Sequence, residues 1–147
     1  MYTNFLAIHN VFRWLVLLSL LLVVVTSIHG YLSKRRYTTR DKLLRIIANA
    51  ITHTQLMLGF TLYFLLSPVT KYFMKNGGGN NYQMWFFGVY HILMMLTAVV
   101  LITIGGSWAK RREEDARKFK VTALYFSIGL LIILLSIPWF RPLLRHF

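Results

Sequence analysis

Residues 6–32 read LAIHNVFRWLVLLSLLLVVVTSIHGYL, and Lys34, Arg35 and Arg36 follow almost at once. This apolar run exceeds the about 20 residues that a helix rising about 1.5 Å per residue needs to cross a bilayer. No basic segment precedes it and its apolar core is long, so it is expected to be a retained helix rather than a cleaved leader, with its N-terminus outside. Three further runs of spanning length follow at residues 43–66, 85–108 and 121–140. Short connections between them predict an all-α integral membrane protein: an up-down four-helix bundle formed as a single domain over residues 1–147.

Composition agrees with that reading. The chain of 147 residues is 56% hydrophobic, 16% aromatic and only 14% charged, with a mean hydropathy of +0.54. That is too apolar for an ordinary soluble domain of this size. Lys and Arg number 17 against 4 Asp and Glu, giving a net charge of +13. The excess is confined to clusters between apolar runs, which reads as membrane topology and not as nucleic-acid binding.

One cluster is Lys34, Arg35, Arg36, Arg40, Lys42 and Arg45; the other is Lys110, Arg111, Arg112, Arg117, Lys118 and Lys120. The middle loop carries only Lys71 and Lys75. The positive-inside rule therefore predicts cytoplasmic basic loops and periplasmic termini in a bacterial inner membrane, with the 69–84 loop outside. Asp41 is placed to favour the positive end of the second helix, and Pro68 to mark its outer end. The Asn76–Asn81 run, with three consecutive glycines, is expected to hold no regular structure and to form a mobile outer loop. Trp85, Trp108 and Trp139 fall near helix ends, where interfacial aromatics belong.

The absence of cysteine excludes disulfides, thiolate metal sites, iron–sulfur clusters and covalent c-type haem. All four carboxylates, Asp41, Glu113, Glu114 and Asp115, fall in expected loops, leaving no acid pair in the membrane for hydrolytic chemistry. No independent catalytic activity is expected.

Ionisable residues inside a span are costly and mark function by default. Here they are His9, Arg13, His29, His53 and His91, while His146 belongs to the tail. His53 and His91 lie deep on different helices. Each alone reads as a neutral imidazole tying helices together, but jointly they favour ligation of a haem or of copper. His9 and Arg13, four apart, share a helical face near the outer boundary, where Arg13 is placed either to neutralise a haem propionate or to snorkel. His29, at the inner end, reads as interfacial, with a second inner site as the alternative. Two pairings stay open: His9 with His91 on diagonal helices, and His53 with His91 on neighbouring ones.

Gly88, three residues before His91, shares its face, and Gly59 and Gly105 read equally as pocket or packing positions. His53 with Met57, and His91 with Met94 and Met95, place thioethers about one turn from deep histidines, a pattern that suits copper(I). The alternative is methionine as core filler.

His9-Asn10-Val11-Phe12-Arg13-Trp14, His53-Thr54-Gln55-Leu56-Met57-Leu58-Gly59, Tyr90-His91-Ile92-Leu93-Met94-Met95, Leu101-Ile102-Thr103-Ile104-Gly105 and Ile137-Pro138-Trp139 together cover nearly the whole chain. In these motifs it resembles small four-helix inner-membrane proteins of the Bacteroidota commonly labelled cytochrome b. The resemblance implies a noncovalent b-type haem or similar redox group, with His9, His53 and His91 on the matching motifs and His29 on none. Where that family carries an acidic residue before the third-helix histidine, this chain has Tyr90. A more distant likeness is to half of a haem A synthase, whose acidic catalytic residue has no match here. The expected function is electron transfer in the lipid bilayer, with quinol as a candidate donor and a larger respiratory or maturation complex, or a homo-oligomer, as candidate partner. Copper handling through His and Met, and a cofactor-free structural subunit, are the rival readings.

Overall fold

A computed structural model describes residues 1–139. The end of the expected fourth helix at Phe140, and the tail with His146, lie outside the described residues. The chain is all-helical: α1 (Tyr2–Leu32), α2 (Thr39–Leu66), α3 (Pro68–Asn76), α4 (Tyr82–Lys110) and α5 (Asp115–Leu135), with no strand among the described residues. α1, α4 and α5 are each long and apolar enough to cross a membrane. The pair α2 and α3, bent by 58°, makes a fourth if it counts as one span.

In apolar surroundings every backbone and hydroxyl group must find a partner within the chain, which the helix supplies for the backbone. The hydroxyls of α1 follow suit. Ser19 donates to the Val16 carbonyl at 3.1 Å and Thr26 to Leu22 at 2.7 Å, and just past the helix Ser33 donates to His29 at 2.7 Å. Lys34, at φ +52°, takes the left-handed conformation just beyond α1. Asp41 then sits in the first turn of α2, accepting from the Thr38 backbone N–H at 2.9 Å and its hydroxyl at 2.8 Å. A two-pronged pair from Arg35, at 2.6 and 2.8 Å, completes that corner.

The remaining boundaries depart from the sequence-based ranges for local reasons. α2 ends in a π-helical stretch, Thr61–Leu66, and Pro68 forces the extended Ser67 that breaks it. The segment expected to form the outer loop is not loop throughout. Ser67 caps the nine-residue α3, its Oγ accepting from Thr70 N at 3.3 Å, while the Thr70 hydroxyl donates to the Tyr63 carbonyl at 2.6 Å. Only residues 77–81 are non-helical there, with Gly77 and Gly79 at φ +73° and +48°. α4 starts three residues ahead of expectation because Asn81 caps it, accepting from Gln83 N at 2.9 Å. α5 begins at Asp115, whose carboxylate suits a helix N-terminus, so Arg117, Lys118 and Lys120 ride on the helix rather than in the loop.

α1 packs against α2 and α5, and α4 packs against α5 and α2. Gly30 of α1 lies against the Phe119 ring of α5, and Arg45 of α2 donates to the Gly106 carbonyl of α4. The two basic connections therefore share one end of the assembly, called here the basic end. His9 beside Gly59, and His91 beside Ser136, mark the opposite, glycine-loop end. The buried core between them centres on Leu20, Ile102 and Phe126, each 0% exposed.

Candidate functional site

Near the glycine-loop end the helices part around a cavity of about 420 Å³. α1 contributes His9, Asn10, Arg13 and Val16; α2 contributes Thr52, Gln55, Gly59 and Tyr63; α4 contributes Phe87, His91, Met95 and Val99; Ile133, Ile137 and Pro138 close it. Most of the wall is apolar and a few polar groups converge on it, the usual make-up of a small-molecule site.

Two π-helical stretches border the cavity, Thr61–Leu66 of α2 and Phe86–Tyr90 of α4. Such stretches wind more loosely than α-helix and recur at functional sites. They are tied together by the Tyr63 hydroxyl, which donates to the Gly88 carbonyl at 2.6 Å. His91 follows the second stretch directly, with the Phe86 and Phe87 ring centroids 5.7 and 6.1 Å away.

The end of α5 orients His91. Its Nδ1 lies 2.9 Å from the Ser136 carbonyl, and a carbonyl only accepts, so the proton is assigned to Nδ1 and Nε2 keeps its lone pair. Ser136 is free to accept because α5 stops at Leu135. Pro138 has no N–H to return to the Leu134 carbonyl, which instead takes the Trp139 indole N–H at 2.9 Å. The Ile137-Pro138-Trp139 motif thus ends α5 where its last carbonyls meet His91.

On the facing side, the Gln55 amide donates to the His9 carbonyl at 2.9 Å and lies 3.4 Å from His9 Nε2. His9 Nδ1 and Gln55 Oε1 are both buried without a hydrogen-bond partner. Arg13, one turn along α1, stands with its guanidinium carbon 5.8 Å from the Trp14 ring centre.

Of the residues singled out from sequence, His9, Arg13 and His91 come together on this cavity. His53 does not line it. His53 Nδ1 lies 2.8 Å from the Asn49 carbonyl and Nε2 3.3 Å from the Thr103 hydroxyl, so it ties α2 to α4, the alternative role for a deep histidine. Met57, one turn on, is exposed, whereas Met95 shares the cavity with His91. His29 is exposed at the basic end.

The glycines divide likewise. A β-carbon at Gly59 would sit 3.5 Å from His9, whereas at Gly88 and Gly105 it would run into Phe73 and Tyr125, so those two serve packing. Gln55 and Ser136 carried no functional assignment from sequence. Gln55 had a signal, being an amide deep in an apolar helix. Ser136 had none, because it acts through its backbone carbonyl.

The donor set decides what fits. No group of three or more His, Asp or Glu side chains able to hold a metal occurs among the described residues. A zinc-type ion needs such a set, whereas an iron already held by a macrocycle needs only one or two axial ligands. His91, with its second nitrogen fixed on a carbonyl, has the arrangement that orients metal-bound imidazole. No protein-family model, curated protein or solved structure matches this chain.

Proposed function

We infer that the cavity holds a noncovalent b-type haem and that the protein transfers electrons within a membrane. One observation carries the reading: His9 and His91, far apart in sequence, converge on a single apolar cavity with Arg13 at its wall. His91 Nε2 would hold the iron, Arg13 would pair with a propionate, and the apolar wall would exclude water. The haem supplies the one-electron chemistry, and the chain supplies ligation, orientation and burial.

The finer architecture belongs to the same proposal. The four apolar segments form an up-down bundle in a bacterial inner membrane, with α2 and α3 as one bent span, the basic end cytoplasmic and both termini periplasmic. Quinol is the proposed donor, and a larger membrane complex the proposed setting. The resemblance to the small cytochrome b-labelled proteins supports this reading. Copper(I) is the second reading, favoured by Met95 lining the cavity beside His91.

The test is the absorption spectrum of the purified, haem-supplemented full chain. A Soret band with reducible α and β bands is expected, lost or weakened in His91→Ala and retained in His53→Ala. Stoichiometric copper without a haem band would favour the second reading, and an unchanged haem spectrum in His91→Ala would overturn the first.

A further inference from the structure

The fold brings together two groups of like charge that the sequence keeps apart. The connection between α1 and α2 meets the start of α5 through two cations. The Arg35 guanidinium carbon lies 4.7 Å from the Phe119 ring centre, and Lys118 Nζ lies 5.5 Å from the Tyr37 ring centre. Arg45 of α2 donates to the Gly106 carbonyl of α4 at the same end. The two basic clusters therefore abut and form one surface.

Carboxylates do not neutralise that surface. Asp41, Glu114 and Asp115 are taken by Arg35, Arg117 and Lys118 at 2.6, 2.9 and 3.3 Å, and Glu113 makes no ion pair among the described residues. Lys34, Arg36, Arg40 and Lys42 at one connection are exposed and make no ion pair among the described residues. The same holds at the other connection for Lys110, Arg111, Arg112 and Lys120. Like charges gathered in this way repel one another, and anions collecting on them relieve that cost. At the glycine-loop end α3 carries only Lys71 and Lys75.

What flanks the charge selects the anion. Tyr31 and Leu32 precede Lys34, Leu43 follows Lys42, Trp108 precedes Lys110, and Leu124 stands one turn beyond Lys120, all of them exposed. Large apolar side chains thus lie within one turn of the cations at both connections, and tyrosine and tryptophan are the residues that sit at the level of lipid headgroups. A soluble acidic polymer would satisfy the cations and leave these side chains bare. A phospholipid carries phosphate and acyl chains in one molecule.

We propose, on the membrane reading and independently of any haem, that the basic end is a docking surface for anionic phospholipids of the phosphatidylglycerol or cardiolipin class. Their phosphates pair with the exposed lysines and arginines, and their acyl chains lie along the adjoining apolar faces of the helices. Juxtamembrane cations attract anionic lipid in this way, about fivefold for each lysine or arginine near the surface.

Spin-labelled lipids in phosphatidylcholine vesicles that contain the full chain provide the test. The chain should immobilise labelled phosphatidylglycerol about fivefold more than labelled phosphatidylcholine, and added salt should lower that ratio. Arg36→Gln with Lys42→Gln, and Lys110→Gln with Arg112→Gln, should each lower it by about twofold or more, whereas Lys71→Gln with Lys75→Gln should leave it unchanged. Equal immobilisation of the two lipids overturns the proposal, as does a preference unmoved by salt or unchanged in both basic-end variants. Binding of soluble polyglutamate without any lipid preference overturns it too and assigns the surface to an acidic protein. A chain that immobilises neither lipid overturns the membrane reading as well.

Discussion

At the basic end the helices close on one another through glycine: a β-carbon at Gly30 would lie 2.5 Å from the Phe119 ring, and one at Gly105 would collide with Tyr125. At the glycine-loop end a β-carbon at Gly59 would meet only His9, at 3.5 Å, beside a cavity of about 420 Å³. Gly30 and Gly105 let the helices touch, as Gly88 does against Phe73 at the other end, whereas Gly59 leaves room beside the cavity. Around Phe119 the closed end is also tied by polar and aromatic contacts. The Tyr37 ring stands 5.0 Å from it, the Arg35 guanidinium carbon 4.7 Å above it, and Arg35 itself is clamped to Asp41. The other end instead carries both π-helical stretches and the break at Pro68. The departures from regular α-helix thus lie at one end, next to the proposed site.

The largest expected effect is at the shared core. Phe126→Ala removes a ring that is 0% exposed, and should cost about 3–5 kcal/mol, seen as a large fall in the unfolding midpoint in detergent. Leu56→Ala, which only enlarges an existing cavity, should cost less than half as much. Equal losses would break the distinction between packed and open regions.

Next comes the glycine contrast. Gly105→Val should cost about 1–3 kcal/mol, because Tyr125 must move with its helix, while Gly59→Ala should cost under about 1 kcal/mol and mainly alter the cavity. Thermal unfolding of the two variants side by side decides this, and a larger loss for Gly59→Ala would reverse the assignment of the ends. The smallest effect is at the corner between α1 and α2. Asp41→Asn keeps the shape but loses the charge-assisted bonds to Arg35, and should cost about 1 kcal/mol. The same variant should leave the proposed haem spectrum unchanged, since the corner lies at the far end from the cavity.

Much of the site was legible because burying an ionisable side chain is expensive, so His9, Arg13, His53 and His91 stand out in any apolar run. The spacing of His9 and Arg13 placed both on one face, and both line the cavity. His53 shows where that logic stops. A histidine four residues after Asn49 finds a carbonyl on its own helix, and whether its other nitrogen meets a ligand or Thr103 depends on how α4 is rotated. Rotation of α4 follows from ridges and glycines on neighbouring helices, which no local pattern of α2 contains.

The sequence by itself determined the helical class, the lengths of the apolar segments and the clustering of charge, because each follows from the cost of exposing backbone or charge to hydrocarbon. It also marked the break at Pro68, since proline constrains the residue before it wherever it stands. Only the tertiary structure decided that α3 forms beyond that break, that Gly88 and Gly105 serve packing, and that His9 rather than His53 shares a cavity with His91. The physical reason is that these outcomes are set by atoms on other helices: Ser136 reaches His91 from α5, Gln55 reaches His9 from α2, and Tyr63 reaches across to Gly88.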